Sequence, residues 1–138
     1  MGIEWIIQCN TETKPIYELL LANSPQPVNM SFLFDSSCGR GELITAASMP
    51  PPLLEQGIPC GYAGGIGPST IRDVLAAVAE VSKGAAVWVD MESSLRLITT
   101  EVKTRETAEV FSIEKCFQCI LVGTTFGLPV SRFTLLSI

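Results

Sequence analysis

The chain contains no histidine, and only 17% of its 138 residues are charged. Basic side chains are scarce: nine Lys and Arg stand against 14 Asp and Glu, giving a net charge of −5. They form no basic stripe. Nucleic acid, held first through its phosphates by Lys and Arg, is therefore not an expected partner. Long apolar runs are missing as well. No segment reaches the roughly 18 apolar residues of a membrane-spanning helix. Glu4 interrupts the one early apolar run and no basic segment precedes it, so neither a signal peptide nor a membrane partner is expected. The five cysteines are scattered and odd in number. That suits reduced thiols in a cytoplasmic protein better than a disulfide framework. Cys116 and Cys119 form a CxxC, but a structural zinc site needs a second pair or histidines. Both thiols are expected on a buried helix face, and no metal or organic cofactor is implied.

What the chain has is apolar content. At 47% hydrophobic it can build a core. A domain that stands alone usually covers itself with more charge than this, so part of the surface is expected to meet a partner.

Trp5–Cys9 is a short, largely apolar run that reads as a buried strand. Thr13 and Pro15 open a helix, Ile16 to Ala22, which Asn23 and Pro25 close. Met30–Phe34 is a second strand, ending at Asp35. A glycine-bearing loop, Ser36 to Gly41, leads into an apolar stretch of open assignment that ends in Pro50-Pro51-Pro52. Ile58–Ala63 is a third strand. After Gly67 and Pro68, the residues Ile71, Val74, Leu75, Val78 and Val81 recur at helical spacing on one face, and Gly84 suits the position just past the helix end. Ala85–Val89 is a fourth strand. Leu97–Val110, polar and rich in threonine, reads as a loop with at most a helical turn. Ser112 is placed to cap a last helix with Ile113, Cys116, Phe117, Ile120 and Leu121 on its apolar face. The residues from Val122 onward form an apolar tail without pattern. Buried strands alternating with helices predict a parallel α/β sheet with right-handed crossovers. Such units build a small doubly wound sheet or half of a (βα)8 barrel, because a complete barrel takes about 250 residues.

Functional groups of parallel α/β folds gather at the C-terminal ends of the strands. Small and polar residues cluster there in this sequence. Gly64-Gly65-Ile66-Gly67-Pro68 joins a strand to a helix. It is either a phosphate cradle of exposed N–H groups at a helix N-terminus or a tight turn that needs glycine. On the first reading, Gly65→Asp abolishes anion binding and leaves the fold largely intact. Ser93 and Ser94 follow the next strand and offer further donors, or form a plain turn. Asp35 is either a general acid whose pKa burial raises or a carboxylate that caps its own loop. Asp90 orients a loop. Arg40 is either an anion contact or a solvated loop arginine.

Taken in order, these blocks resemble phosphoribosylanthranilate isomerase. Phe32-Leu33-Phe34-Asp35-Ser36 with Cys38-Gly39-Arg40-Gly41 resembles that family's sixth strand, which ends in its catalytic Asp, and the GGTGK-like loop behind it. Ala63-Gly64-Gly65-Ile66-Gly67-Pro68 resembles the seventh-strand Gly-Gly turn. Val89-Asp90-Met91-Glu92-Ser93-Ser94-Leu95-Arg96 resembles the eighth-strand pattern DVSSGVE. The resemblance covers roughly residues 3 to 121 and implies strands five to eight, a (βα)4 half of a TIM (βα)8 barrel. It implies an Amadori isomerisation of a phosphoribosyl amine, with Asp35 as general acid, Gly64, Gly65, Ser93 and Ser94 around the phosphate, and Arg40 near the substrate. Three departures accompany it. No KICG motif supplies the family's first-strand Cys base. Glu42 replaces the lysine of GGTGK. Glu92 brings an acidic side chain beside the serines. The expected partners are therefore a phosphorylated sugar and either a second copy, forming a homodimer, or a complementary N-terminal half-barrel.

Overall fold

The computed structural model describes residues 2–23, 25–100 and 107–127. Four strands, β1 (Trp5–Cys9), β2 (Met30–Phe34), β3 (Cys60–Tyr62) and β4 (Val87–Val89), form one parallel sheet in the order β1-β2-β3-β4. The α/β class and the parallel sheet are as the alternation of elements predicts. The register aligns Cys9 with Phe34, Phe34 with Tyr62, and Tyr62 with Val89. The next residues keep the same level: the Asp35 N–H donates to the Cys9 carbonyl, that of Ala63 to Phe34 and that of Asp90 to Tyr62. Asp35, Gly64 and Asp90 therefore leave the sheet along one edge.

Helix α1 (Lys14–Ala22) follows β1. Its start is fixed by Asn10, whose side-chain oxygen accepts from the N–H groups of Glu12 and Thr13, and by the Thr13 hydroxyl, which donates to the Gln8 carbonyl at 2.6 Å. Tyr17, Leu20 and Leu21 lay its apolar side on Cys9, Met30, Phe32 and Cys60. No helix joins β2 to β3. The open stretch before the three prolines is a looped crossover that buries Ile44 and Met49 and accepts a 2.8 Å bond from the Tyr62 hydroxyl at the Pro50 carbonyl. Helix α2 (Ile71–Ser82) buries Ile71, Val74, Leu75 and Val78, the face its periodicity marks, and ends at Lys83 in the left-handed region, φ 49°.

In-register parallel strands place Cys9, Phe34, Tyr62 and Val89 on one side of the sheet. Residues of α1 and α2 pack against that side. The other side carries Ile6, Gln8, Leu33, Gly61 and Trp88, and no described helix covers it. The Trp88 indole lies across Gly61, so close that a Cβ there would stand 2.4 Å from the ring.

Three expectations need correction. Of the stretch Leu97–Val110, residues 97–100 and 107–110 are strand and not loop. Strands β5 (Arg96–Thr100) and β6 (Thr107–Phe111) pair antiparallel, Arg96 opposite Phe111. Threonine makes the segment polar, yet Thr, Ile and Val are the β-branched residues that strands favour. Second, the apolar face of the last helix, α3 (Ile113–Thr125), is rotated. Ser112 caps it as expected, accepting from the Lys115 N–H at 3.2 Å. However, Cys116, Cys119 and Gly123 are buried, while Ile113 is 82% exposed and Phe117 57%. The CxxC thiols thus lie in the core, where burial pushes Cys119 up to about 11, with Cys116 adding to the shift. Third, the helix runs through Thr125, so the unpatterned tail does not begin at Val122. The rest of that tail, from 128 on, lies outside the described residues. No described helix is long and apolar enough to cross a membrane.

Candidate functional site

The C-terminal edge of the sheet opens into a cleft of about 170 Å³. Asp35, Gly64, Gly65, Ser93 and Ser94 all line it, as does Asp90. Five of the six site residues named from sequence thus meet in one place. Arg40 does not. Its guanidinium is exposed and pairs with Glu42 at 3.1 Å on the outer side of the loop, the solvated arginine of the alternative reading.

Asp35 is 5% exposed, and both its oxygens are occupied. Oδ1 accepts from the Ser37 hydroxyl at 2.6 Å and the Ser37 N–H at 3.0 Å. Oδ2 accepts from the Gly39 N–H at 2.9 Å and from Gln8 Nε2, one strand away, at 2.7 Å. Ser37 Oγ in turn accepts from the Gly41 N–H at 3.2 Å. The loop from Ser36 to Gly41 is wound around this carboxylate, with Cys38, Gly39 and Gly41 at positive φ. Burial by itself pushes the Asp35 carboxyl up. The bonds from the Ser37 side chain, the Gly39 and Ser37 N–H groups and Gln8 outweigh it and hold the group below its ordinary value. The expectation that burial raises the Asp35 carboxyl is therefore corrected in its direction: donors aimed at the ionised form win over desolvation.

Asp90 has the opposite surroundings. Among the described residues no side chain donates to it. Burial first, then the carboxylates of Glu92 and Asp35, raise it above its ordinary value, against a weaker opposing bond from the Met91 N–H. Glu92 leans outward, its side chain 76% exposed and 3.5 Å from Arg96.

The glycine pair has a packing role that the sequence left open. Gly64 has φ +119° and Gly65 φ +60°. A Cβ on Gly64 would stand 2.7 Å from the Glu42 carbonyl oxygen, and one on Gly65 2.8 Å from the Leu43 backbone. The two loops are stacked backbone to backbone, so this is a tight turn that needs glycine. The glycines are needed for the fold, and both residues line the cleft. Among the described residues, the N–H groups of Gly64, Gly65, Ser93 and Ser94 meet no acceptor. Donors left open at a concave, polar edge are what an anion requires.

Sequence reasoning missed Gln8, Ser37 and Lys115. Gln8 was legible as the one polar residue inside an apolar strand. Lys115 gave no signal. It reaches from α3 to donate to the carbonyls of Ser94 at 3.1 Å and Arg96 at 2.6 Å, and so clamps the short 3₁₀ turn Ser93–Leu95 beneath the cleft. Lys115→Met is expected to free that turn and weaken anion binding about tenfold without removing any ligand contact, since a hydrogen bond from a charged group contributes about 1.5–3 kcal/mol. Calorimetric titration with inorganic phosphate checks it, and an unchanged affinity counts against the clamp.

Among the described residues no group of three or more His, Cys, Asp or Glu side chains is placed to hold a metal ion. No protein-family model, no curated protein and no solved structure matches this chain.

Proposed function

We propose that this chain is a half-barrel of the phosphoribosylanthranilate isomerase type, a (βα)4 pattern with a looped crossover in place of the helix after β2, that binds the phosphate end of a sugar phosphate and, by itself, does not isomerise it. The observation that carries the reading is that Gly64, Gly65, Ser93 and Ser94, on two successive strand-end loops, line one cleft at the C-terminal edge of a parallel sheet, with no acceptor for their N–H groups among the described residues. The strand order supports the half-barrel. It runs β1-β2-β3-β4 without the reversal that marks a doubly wound sheet, and among the described residues no helix covers the face that carries Ile6, Leu33 and Trp88.

The chemistry of the cleft argues against catalysis by these residues alone. Four donors hold the Asp35 carboxylate to its own loop and favour its ionised form, which suits a loop anchor better than a proton donor. No first-strand Cys base stands in these 138 residues. An acid and a base each contribute about 10²- to 10⁴-fold, so a site short of both falls to background. A second half, another copy or a complementary N-terminal half-barrel, would close the sheet edges at β1 and β4.

One experiment tests the whole. Sedimentation equilibrium at micromolar concentration is combined with calorimetric titration of ribose 5-phosphate and an isomerase assay on the same sample. The expected result is a species larger than the monomer that binds ribose 5-phosphate, loses about tenfold in affinity in a Ser93→Ala, Ser94→Ala variant, and shows no turnover. A monomer that binds no phosphate ester, or robust turnover by the isolated chain, overturns it.

A further inference from the structure

The proposed phosphate cleft contains a difficulty. Asp35 and Asp90 line it and Glu92 stands at its rim, yet among the described residues no free cation answers them. Arg40 is held by Glu42, Arg96 by Glu92, and Lys115 by the Ser94 and Arg96 carbonyls. A dianion entering here meets its donors and also meets carboxylate charge. Something must give up charge for the ligand to stay.

Asp35 is not able to. Its two oxygens hold four donors, and adding a proton to either one displaces a bond on which the Ser36–Gly41 loop depends. Asp90 has no such obligation. It sits level with Asp35 on the next strand but one and opens on the same cleft. The charged groups facing it are Asp35 from the loop after β2 and Glu92 from its own loop, and both disfavour its ionised form. The loop after β3 lines the cleft with uncharged residues, Ala63, Gly64, Gly65 and Ile66.

We propose that Asp90 binds the anion as the neutral acid: on ligand entry its carboxylate takes one proton from bulk buffer and donates that O–H to a ligand oxygen, so that anion binding and proton uptake are one event. This rests on the cleft being the phosphate site. The ordinary acid–base linkage fixes the sign. Binding is strongest where Asp90 is already protonated and weakens as pH rises through its raised titration point, by about tenfold per pH unit in the limit of one proton taken up. Asp90 thereby selects for ligands with an oxygen that accepts, and its ionised form excludes anions at higher pH.

Inorganic sulfate is the probe, because its charge stays constant across the range in which phosphate esters titrate. Ribose 5-phosphate is run beside it. Calorimetry in two buffers of different ionisation heat counts protons. The expected result is uptake of about one proton per sulfate in the native chain, and at pH 7.5 binding at least about tenfold tighter in Asp90→Asn, with no uptake and no pH dependence. Asn is close in shape, and circular dichroism checks that it folds. Asp90→Ser serves as a second variant that also removes the charge. If sulfate and ribose 5-phosphate bind the native chain without proton uptake, and neither variant binds tighter, Asp90 has no such role and the phosphate site stands. If neither native nor variant chains bind either anion from pH 5 to 8, both the role and the site fall.

Discussion

Asp35→Ala is expected to lower the free energy of unfolding by about 3 kcal/mol or more, the largest loss from any single side chain at the cleft. Removing the carboxylate leaves the Ser37 and Gly39 N–H groups and Gln8 Nε2 without their acceptor. A buried donor left unsatisfied costs about 1–3 kcal/mol. Asp35→Asn is expected to cost less. Its oxygen still accepts from Ser37, but its amide meets the Gly39 N–H donor to donor. Urea unfolding of the three proteins reads the series, and a loss below 1 kcal/mol in the alanine variant would show that the loop does not depend on the carboxylate. The pH dependence has a definite sign. A carboxyl held below its unfolded value of about 3.9 stabilises the fold above that pH. That contribution is lost as pH falls through the lower folded value. The gap between native chain and Asp35→Asn is therefore full at neutral pH and closes on acidification below about 4. Asp90, raised in the fold, works in the opposite sense: its ionisation takes stability away as pH rises from about 4 through its folded value.

Gly65→Ala is the second large effect. It is expected to destabilise by about 2–4 kcal/mol through two sources. Left-handed backbone disfavours any side chain by about 1 kcal/mol, and overpacking adds about 1–3 kcal/mol. Here the obstructing atoms are backbone: Leu43 Cα and N at 2.8 Å and the Gly41 carbonyl oxygen at 2.9 Å. No rotamer change relieves such a contact. The sequence expectation for Gly65→Asp, lost binding on an intact fold, is corrected by the same geometry, because the larger side chain begins with the same Cβ. Thermal unfolding with phosphate binding measured in parallel separates the effects. A variant that melts with the native chain would show that the loops at Gly41–Leu43 and Gly65 can part.

The sequence was most informative where a pattern answered to a single physical cause. Ile71, Val74, Leu75 and Val78 recur at helical spacing and are buried together. Strand ends carrying Asp35, Gly64 and Asp90 predicted a common edge, and the register places them there. It was least informative where two causes compete. Asp35 is buried, which raises a carboxyl, and bonded by four donors, which lowers it. The donors come from Gln8, from Ser37 and from a backbone N–H, and no local pattern announces that they converge. The raised Asp90 carboxyl is illegible for the same reason, because one of the charges that act on it, Asp35, belongs to another strand end. On the last helix, spacing alone admits several apolar faces. Ile113 and Phe117 are as apolar as Cys116 and Cys119, and only the packing against α2 and Leu95 decides which stripe turns inward.

The hydrophobic interior is divided into two clusters. One lies between α1 and the strands β1 to β3, and the other joins β3, β4, α2 and α3. Among the described residues, Phe34 is the side chain that packs against both. The interior is thus two cooperative units hinged on one ring, and α1, with no fully buried residue of its own, belongs to the weaker. Segments with few buried contacts open at a lower free energy than the whole molecule. Loss of β1 and α1 as a unit would take Gln8 with it and strip one donor from Asp35 while β3, β4 and the Lys115 clamp stayed in place. The half of the cleft built on Asp35 therefore answers to the outermost strand of the sheet, and the half built on Ser93 and Ser94 does not.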